Sequence, residues 1–199
     1  MMRKRVGFVV VAVWWLGLAS VWAQGESSGN LLKTLYIQVK PTQVVLPNGV
    51  QDDSLLGDKD LEFRMMFHRN DLLGQAHFPS IYFQLTPKEV PEDPSSVVYS
   101  ENDFSKVIPM KKTWAEFASL INSYGKGNRW ISIFEDDLLE TKFCTLDSKS
   151  VDAVLTQIQR NIPADPAEKN SFVFTIGNCP FPDAASVSSF TFEATLFWK

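Results

Sequence analysis

Leu61-Glu62-Phe63-Arg64-Met65-Met66-Phe67-His68 is the stretch that decides the fold class of this chain. Leu61, Phe63, Met65 and Phe67 fall on one parity; Glu62, Arg64, Met66 and His68 fall on the other. A period of two places alternate side chains on opposite faces of a strand, whereas a helix would spread the same residues around its axis. The pattern recurs on both sides. Upstream, Leu35, Ile37 and Val39 alternate with Tyr36, Gln38 and Lys40; Pro41 then interrupts, and Val44 to Leu46 reads as a short second strand ending at the turn Pro47-Asn48-Gly49. Downstream, Ile81, Phe83 and Leu85 repeat the alternation before a proline-rich connection from Pro87 to Pro94. The first half therefore reads as antiparallel β.

Helical spacing enters at Thr113. Thr113-x-x-Glu116 is a capping box, in which each side chain satisfies a free backbone N–H at the helix start. Trp114, Phe117, Ala118 and Ile121 follow as an apolar stripe, and Gly125 supplies a left-handed C-terminal cap. Arg129 to Phe134 and Thr141 to Leu146 read as strands around the acidic turn Glu135-Asp136-Asp137. A second helix starts near Asp147 or Ser148, carries Val151, Val154, Leu155, Ile158 and Ile162 on one side, and stops at Pro163 and Pro166. Phe172 to Ile176 is a further strand. The chain ends with Phe190, Phe192, Ala194, Leu196 and Trp198 in strict alternation. That last segment also looks like the closing strand of an outer-membrane barrel, but two amphipathic helices and an interrupted strand series suit a soluble sheet better. The expectation is an α+β fold: a mostly antiparallel sheet of seven or eight strands, with two helices packed on one face, forming a single domain over residues 31–199.

The N-terminus carries an address. Arg3, Lys4 and Arg5 precede the apolar run Val6 to Leu18, and Val21-Trp22-Ala23 fits a small-x-Ala cleavage site. Residues 1–23 read as a secretory signal peptide, and 24–30 as a flexible polar lead-in. A retained membrane anchor is the competing reading, since the run is about as long as a span requires. No cysteine follows the cleavage site, which excludes a bacterial lipoprotein anchor. Cleavage removes three of the 19 basic residues and none of the 23 acidic ones, leaving a net charge of −7. Such a chain is not built for nucleic acid or an anionic membrane surface. It is expected to be exported, either periplasmic or secreted, with no integral membrane segment once the leader is gone.

Two cysteines in an exported chain invite a disulfide between Cys144 and Cys179; the alternative is two separate buried thiols. The sequence holds no H-E-x-x-H, P-loop, dinucleotide fingerprint or C-x-x-C. His68 and His77 read as ordinary surface histidines, and the acidic stretches at 51–60 and 135–140 as solvated loops. No catalytic residue, metal ligand or cofactor is assigned.

The informative residues are aromatic and apolar side chains on the wrong parity of their strands: Tyr36, Tyr82, Met66, Trp130 and Phe197. They could pack beneath the helices, line a pocket or face a partner; Met66, Tyr82 and Trp130 are the candidate ligand or partner surface. The functional expectation is a non-catalytic exported domain acting through protein–protein contacts in the cell envelope or extracellular space. A binding protein for a small apolar or amphipathic ligand is the alternative, and a hydrolase with dispersed carboxylates is the least supported reading.

Overall fold

The computed structural model describes residues 33–47, 61–69, 79–88, 96–135, 141–180 and 187–199. The leader, the lead-in, the 51–60 loop, His77 and Asp136-Asp137 lie outside the described residues. Described strands are β1 (Leu35–Pro47), β2 (Leu61–Arg69), β3 (Ser80–Leu85), β4 (Ser96–Ser100), β5 (Phe104–Ile108), β6 (Met110–Thr113), β7 (Arg129–Glu135), β8 (Thr141–Leu146), β9 (Lys169–Pro180) and β10 (Val187–Trp198). The helices are α1 (Trp114–Ser123) and α2 (Ser148–Arg160).

The α+β class and the antiparallel pairing stand, but one sheet of seven or eight strands becomes two sheets holding ten among the described residues. Sheet A runs β4-β1-β10-β9, with β6 paired to β1 as well. Sheet B runs β5-β3-β2-β7-β8. The extra strands are β4, β5 and β6, four to five residues each; only Tyr99 and Met110 among their residues are buried, so no apolar alternation marks them. In the opposite direction, Pro41 does not split β1. The register with β10 slips between Pro41 and Gln43, and this irregularity absorbs the missing N–H inside one 13-residue strand.

The two sheets face one another through the parity read from the sequence. Ile37, Val39, Val44 and Leu46 of β1 and Phe190, Phe192, Ala194 and Leu196 of β10 are buried, as are Phe63, Met65 and Phe67 of β2 and Ile81, Phe83 and Leu85 of β3. Aromatic rings join the layers: Phe63 meets Phe190 edge-on at 5.2 Å, and Phe83 meets Phe192 at 6.0 Å. These edge-to-face contacts add to the burial of large side chains that drives the sheets together. At one side Cys144 of β8 and Cys179 of β9 form a disulfide, so the bond ties the edge of sheet B to the edge of sheet A.

Both helices are crossovers between sheets, a correction to the expected pair on one sheet face. α1 leads from β6 of sheet A to β7 of sheet B and packs on β1 and β6; α2 leads from β8 back to β9 and packs on β7 and β9. Phe117 of α1 meets Phe67 of the sandwich interior edge-on at 5.3 Å. Both helix starts are as the sequence predicts. Glu116 N–H donates to Thr113 Oγ1 at 3.2 Å, and Thr113 N–H donates to Glu116 Oε2 at 3.1 Å. Ser150 N–H donates to Asp147 Oδ1 at 2.8 Å. Hydrogen bonds from Thr113 and Ser150 respectively hold the Glu116 and Asp147 carboxyls below their ordinary pKa values. Gly125, at φ 75°, takes the left-handed position after α1. Among the described residues no helix is long and apolar enough to cross a membrane.

Candidate functional site

Met66, Tyr82 and Trp130 do share one surface: the face of sheet B that points away from the sandwich interior. β2 is central there, with Met66 opposite Ser80 on β3 and Ser132 on β7, Tyr82 opposite Arg64, and Trp130 opposite His68. Lys106 of β5 places its ammonium 5.0 Å from the Tyr82 ring centre, a cation–π contact. Tyr82 and Trp130 are half-buried. The centre of this face is not a surface at all: Met66 and Phe134 are each 4% exposed, His68 1% and Ser132 0%.

His68 is thus a buried residue and not the surface histidine its polar parity predicts. Burial of an imidazole requires both ring nitrogens to be satisfied. His68 Nδ1 lies 2.6 Å from the Arg69 carbonyl oxygen, which accepts, so Nδ1 carries the proton in the neutral ring. Nε2 then accepts from the Ser132 hydroxyl at 2.8 Å, and Ser132 Oγ accepts from the Thr145 hydroxyl at 2.8 Å. A serine beside an imidazole is how a nucleophile is activated. Here, however, Ser132 is enclosed and engaged on both sides, and the chain of bonds cross-links β2, β7 and β8.

An open concavity lies elsewhere among the described residues. Between α1 and α2 is a cleft of about 390 Å³. Phe117 and Ile121 of α1 and Leu155 of α2, all buried, form its depth, with half-buried Trp114 and Ala118 beside them. Arg129, the first residue of β7, spans it. Its Nε donates to the Ile121 carbonyl at 3.2 Å, one terminal nitrogen to Asn122 Oδ1 at 3.2 Å, and the other to Asp152 Oδ1 at 3.0 Å. One guanidinium thereby joins the last turn of α1 to the first turns of α2. The planar fork of an arginine suits this better than a lysine's single nitrogen. The Arg129–Asp152 pair neutralises itself, so Lys126 leaves the rim with net positive charge. Lys126 sits between Gly125 and Gly127, whose φ values of 75° and 80° make a sharp reversal that a side chain at either glycine would strain.

Among the candidate residues only Trp130 adjoins the cleft in sequence, and none of Met66, Tyr82 and Trp130 lines it. The stripes of both helices were visible in the sequence, and they supply the apolar depth. What was not visible is that the two helices stand apart and share Arg129. Nothing local to Arg129 or Asp152, 23 residues apart, marks them as partners.

Among the described residues no group of three or more His, Cys, Asp or Glu side chains is placed to hold a metal ion. No protein-family model matches the chain, and no curated protein compared with it is detectably similar.

Proposed function

We propose that this protein is an exported, non-catalytic binding module, acting through protein contacts in the cell envelope or extracellular space, and that the cleft between α1 and α2 receives the partner. The observation that carries the reading is the Arg129-spanned cleft. It combines buried apolar side chains at its depth, a polar rim and a rigid base fixed by three hydrogen bonds. Such a mixture is typical of recognition sites, where apolar contact supplies affinity and a few placed polar groups supply orientation. The occupant that suits it is a short partner segment carrying one or two apolar side chains and an acidic residue for Lys126. The leader motif supports export, and the Cys144–Cys179 bond is compatible with an oxidising compartment.

Ala118→Phe tests this reading by filling the trough. Mild crosslinking in the cell that makes the protein should give a reproducible protein adduct with the unaltered chain. With the variant the adduct should be lost, while the unfolding midpoint stays within the range of surface substitutions. An adduct that survives Ala118→Phe at full yield would place the partner elsewhere.

The cleft volume favours one second reading, a small apolar or amphipathic molecule, because about 390 Å³ is within the size of small-ligand sites. Native mass spectrometry separates the two. A small non-covalent mass, lost in Ala118→Phe, would favour the molecule over the protein partner.

A further inference from the structure

We infer that the open edge of β9 pairs antiparallel with β9 of a second copy of this chain, in a register centred on Val173. The argument starts from how the fold treats its other edges. β4 is five residues long, and Lys88 Nζ donates to its Val98 carbonyl at 2.9 Å, capping an outward backbone group. β6 is four residues long and contains Lys111 and Lys112; β5 is five residues long and contains Lys106. Short length and lysine are the ordinary means by which proteins keep sheet edges from pairing. β9 has neither. It runs for 12 residues, and from Asn170 to Ile176 (Asn-Ser-Phe-Val-Phe-Thr-Ile) it holds no charge, proline or glycine. Among the described residues no strand is hydrogen-bonded to its far side; β8 approaches it where Cys144 bonds Cys179, beyond the Asn170–Ile176 stretch. Val173 is 56% exposed, and Ser171 and Thr175 flank it on the same exposed face.

The occupant follows from the charge pattern. An antiparallel pair centred on Val173 sets Val173 against its own twin and Ser171 against the second copy's Thr175. Phe172 meets the second copy's Phe174 on the other face, continuing the apolar interior. Lys169 then falls opposite Gly177 and Glu168 opposite Asn178, so no like charges meet. The hydroxyls are suited to cross-strand pairing, since Ser171 and Thr175 already meet Thr195 and Thr191 of β10 at 3.1 Å each. Beyond Ile176 the strand departs from regularity: Asn178 has φ 57°, and the register with β10 shifts between Ser188 and Phe190. The pairing is therefore limited to about nine residues, and an interface of that size is weak and concentration-dependent.

Sedimentation velocity of the protein as the cell exports it, from about 10 μM to about 1 mM, provides the test, because weak contacts populate only at high concentration. The inference predicts a monomer–dimer equilibrium. Val173→Lys, a substitution at an exposed position, should weaken it at least tenfold, and Val98→Lys on the β4 edge should leave it unchanged. With a cysteine introduced at 173, a short bismaleimide should join two copies through that position. A monomer throughout the range overturns the inference. So does a dimer that Val173→Lys does not weaken, whether the contact is made by the cleft or by another strand.

Discussion

The outward faces of the two sheets obey the same alternation and have opposite characters. On sheet A, Lys40 bonds Glu101 at 2.7 Å and reaches Glu193 at 3.5 Å, and the Glu101 bond chiefly raises its pKa. Beside it Ser171 meets Thr195, Thr175 meets Thr191, and Tyr36 stacks on Phe197 at 5.8 Å beneath Lys111. Ion pairs, hydroxyl pairs and a partly covered aromatic pair make a wet face. On sheet B the centre of the face holds Met66, His68, Ser132 and Phe134, all nearly inaccessible, with half-buried Arg64, Tyr82 and Trp130 around them. Alternation reports which side of a strand a residue occupies. Whether that side meets water depends on what lies across it, which is a property of the tertiary structure. For the same reason a run of misfit apolar residues marks a covered face as readily as a binding one, and the cleft described above lies instead between the helices.

The strongest perturbation removes the bond that ties the wet sheet to the dry one. Cys144→Ser combined with Cys179→Ser frees a loop of 35 residues and should cost about 4 kcal/mol of chain entropy, read as a drop in the urea midpoint. A shift near zero would mean that the sheets hold their alignment without it. A matched pair of truncations then compares the faces directly. Met66→Ala on sheet B should cost about 3 kcal/mol, as for a buried methionine. Tyr36→Ala on sheet A should cost about 1 kcal/mol, since the ring is only half-buried. Equal costs would break the distinction between dry and wet.

Smaller still is the polar pair. Ser132→Ala removes the hydroxyl that bonds His68 Nε2 and should cost about 2 kcal/mol, because the lost bond is buried. Ser171→Ala, at an exposed position, should cost about 0.5 kcal/mol. The least effect is expected from acid. The Lys88 ammonium, aided by the Ser100 N–H and hydroxyl, lowers the Asp103 carboxyl from 3.8 to about 2. Its folded pKa lies below its unfolded one, so its contribution is complete above the ordinary carboxylate range and fades as pH falls towards 2. An NMR titration of the Asp103 carboxyl carbon checks this. A midpoint near 3.8 would show that Lys88 and Ser100 do not hold it.

Much of this was legible beforehand. The parity of β1, β2, β3 and β10 identified the interior residues, and Thr113-x-x-Glu116 and Asp147 located both helix starts within a residue. Pro41 misled, because a strand can absorb a proline at an irregularity. His68 misled as well, because Ser132 is 64 positions away in the chain, and only the strand register brings its hydroxyl, itself bonded to Thr145, to the ring. The strands β4 to β6 each bury one residue at most and so show no hydrophobic period. The cleft needs the relative placement of two helices and Arg129, and no local pattern encodes that.

The most direct test of the binding proposal is site-specific photocrosslinking in the producing cell. A photoreactive side chain replaces Thr156 on the cleft rim in one variant and Lys40 on the outer face of sheet A in another. The account predicts one reproducible protein adduct from position 156 and none from position 40. Adducts from position 40 alone, or equal labelling from both, would contradict the cleft as the docking site.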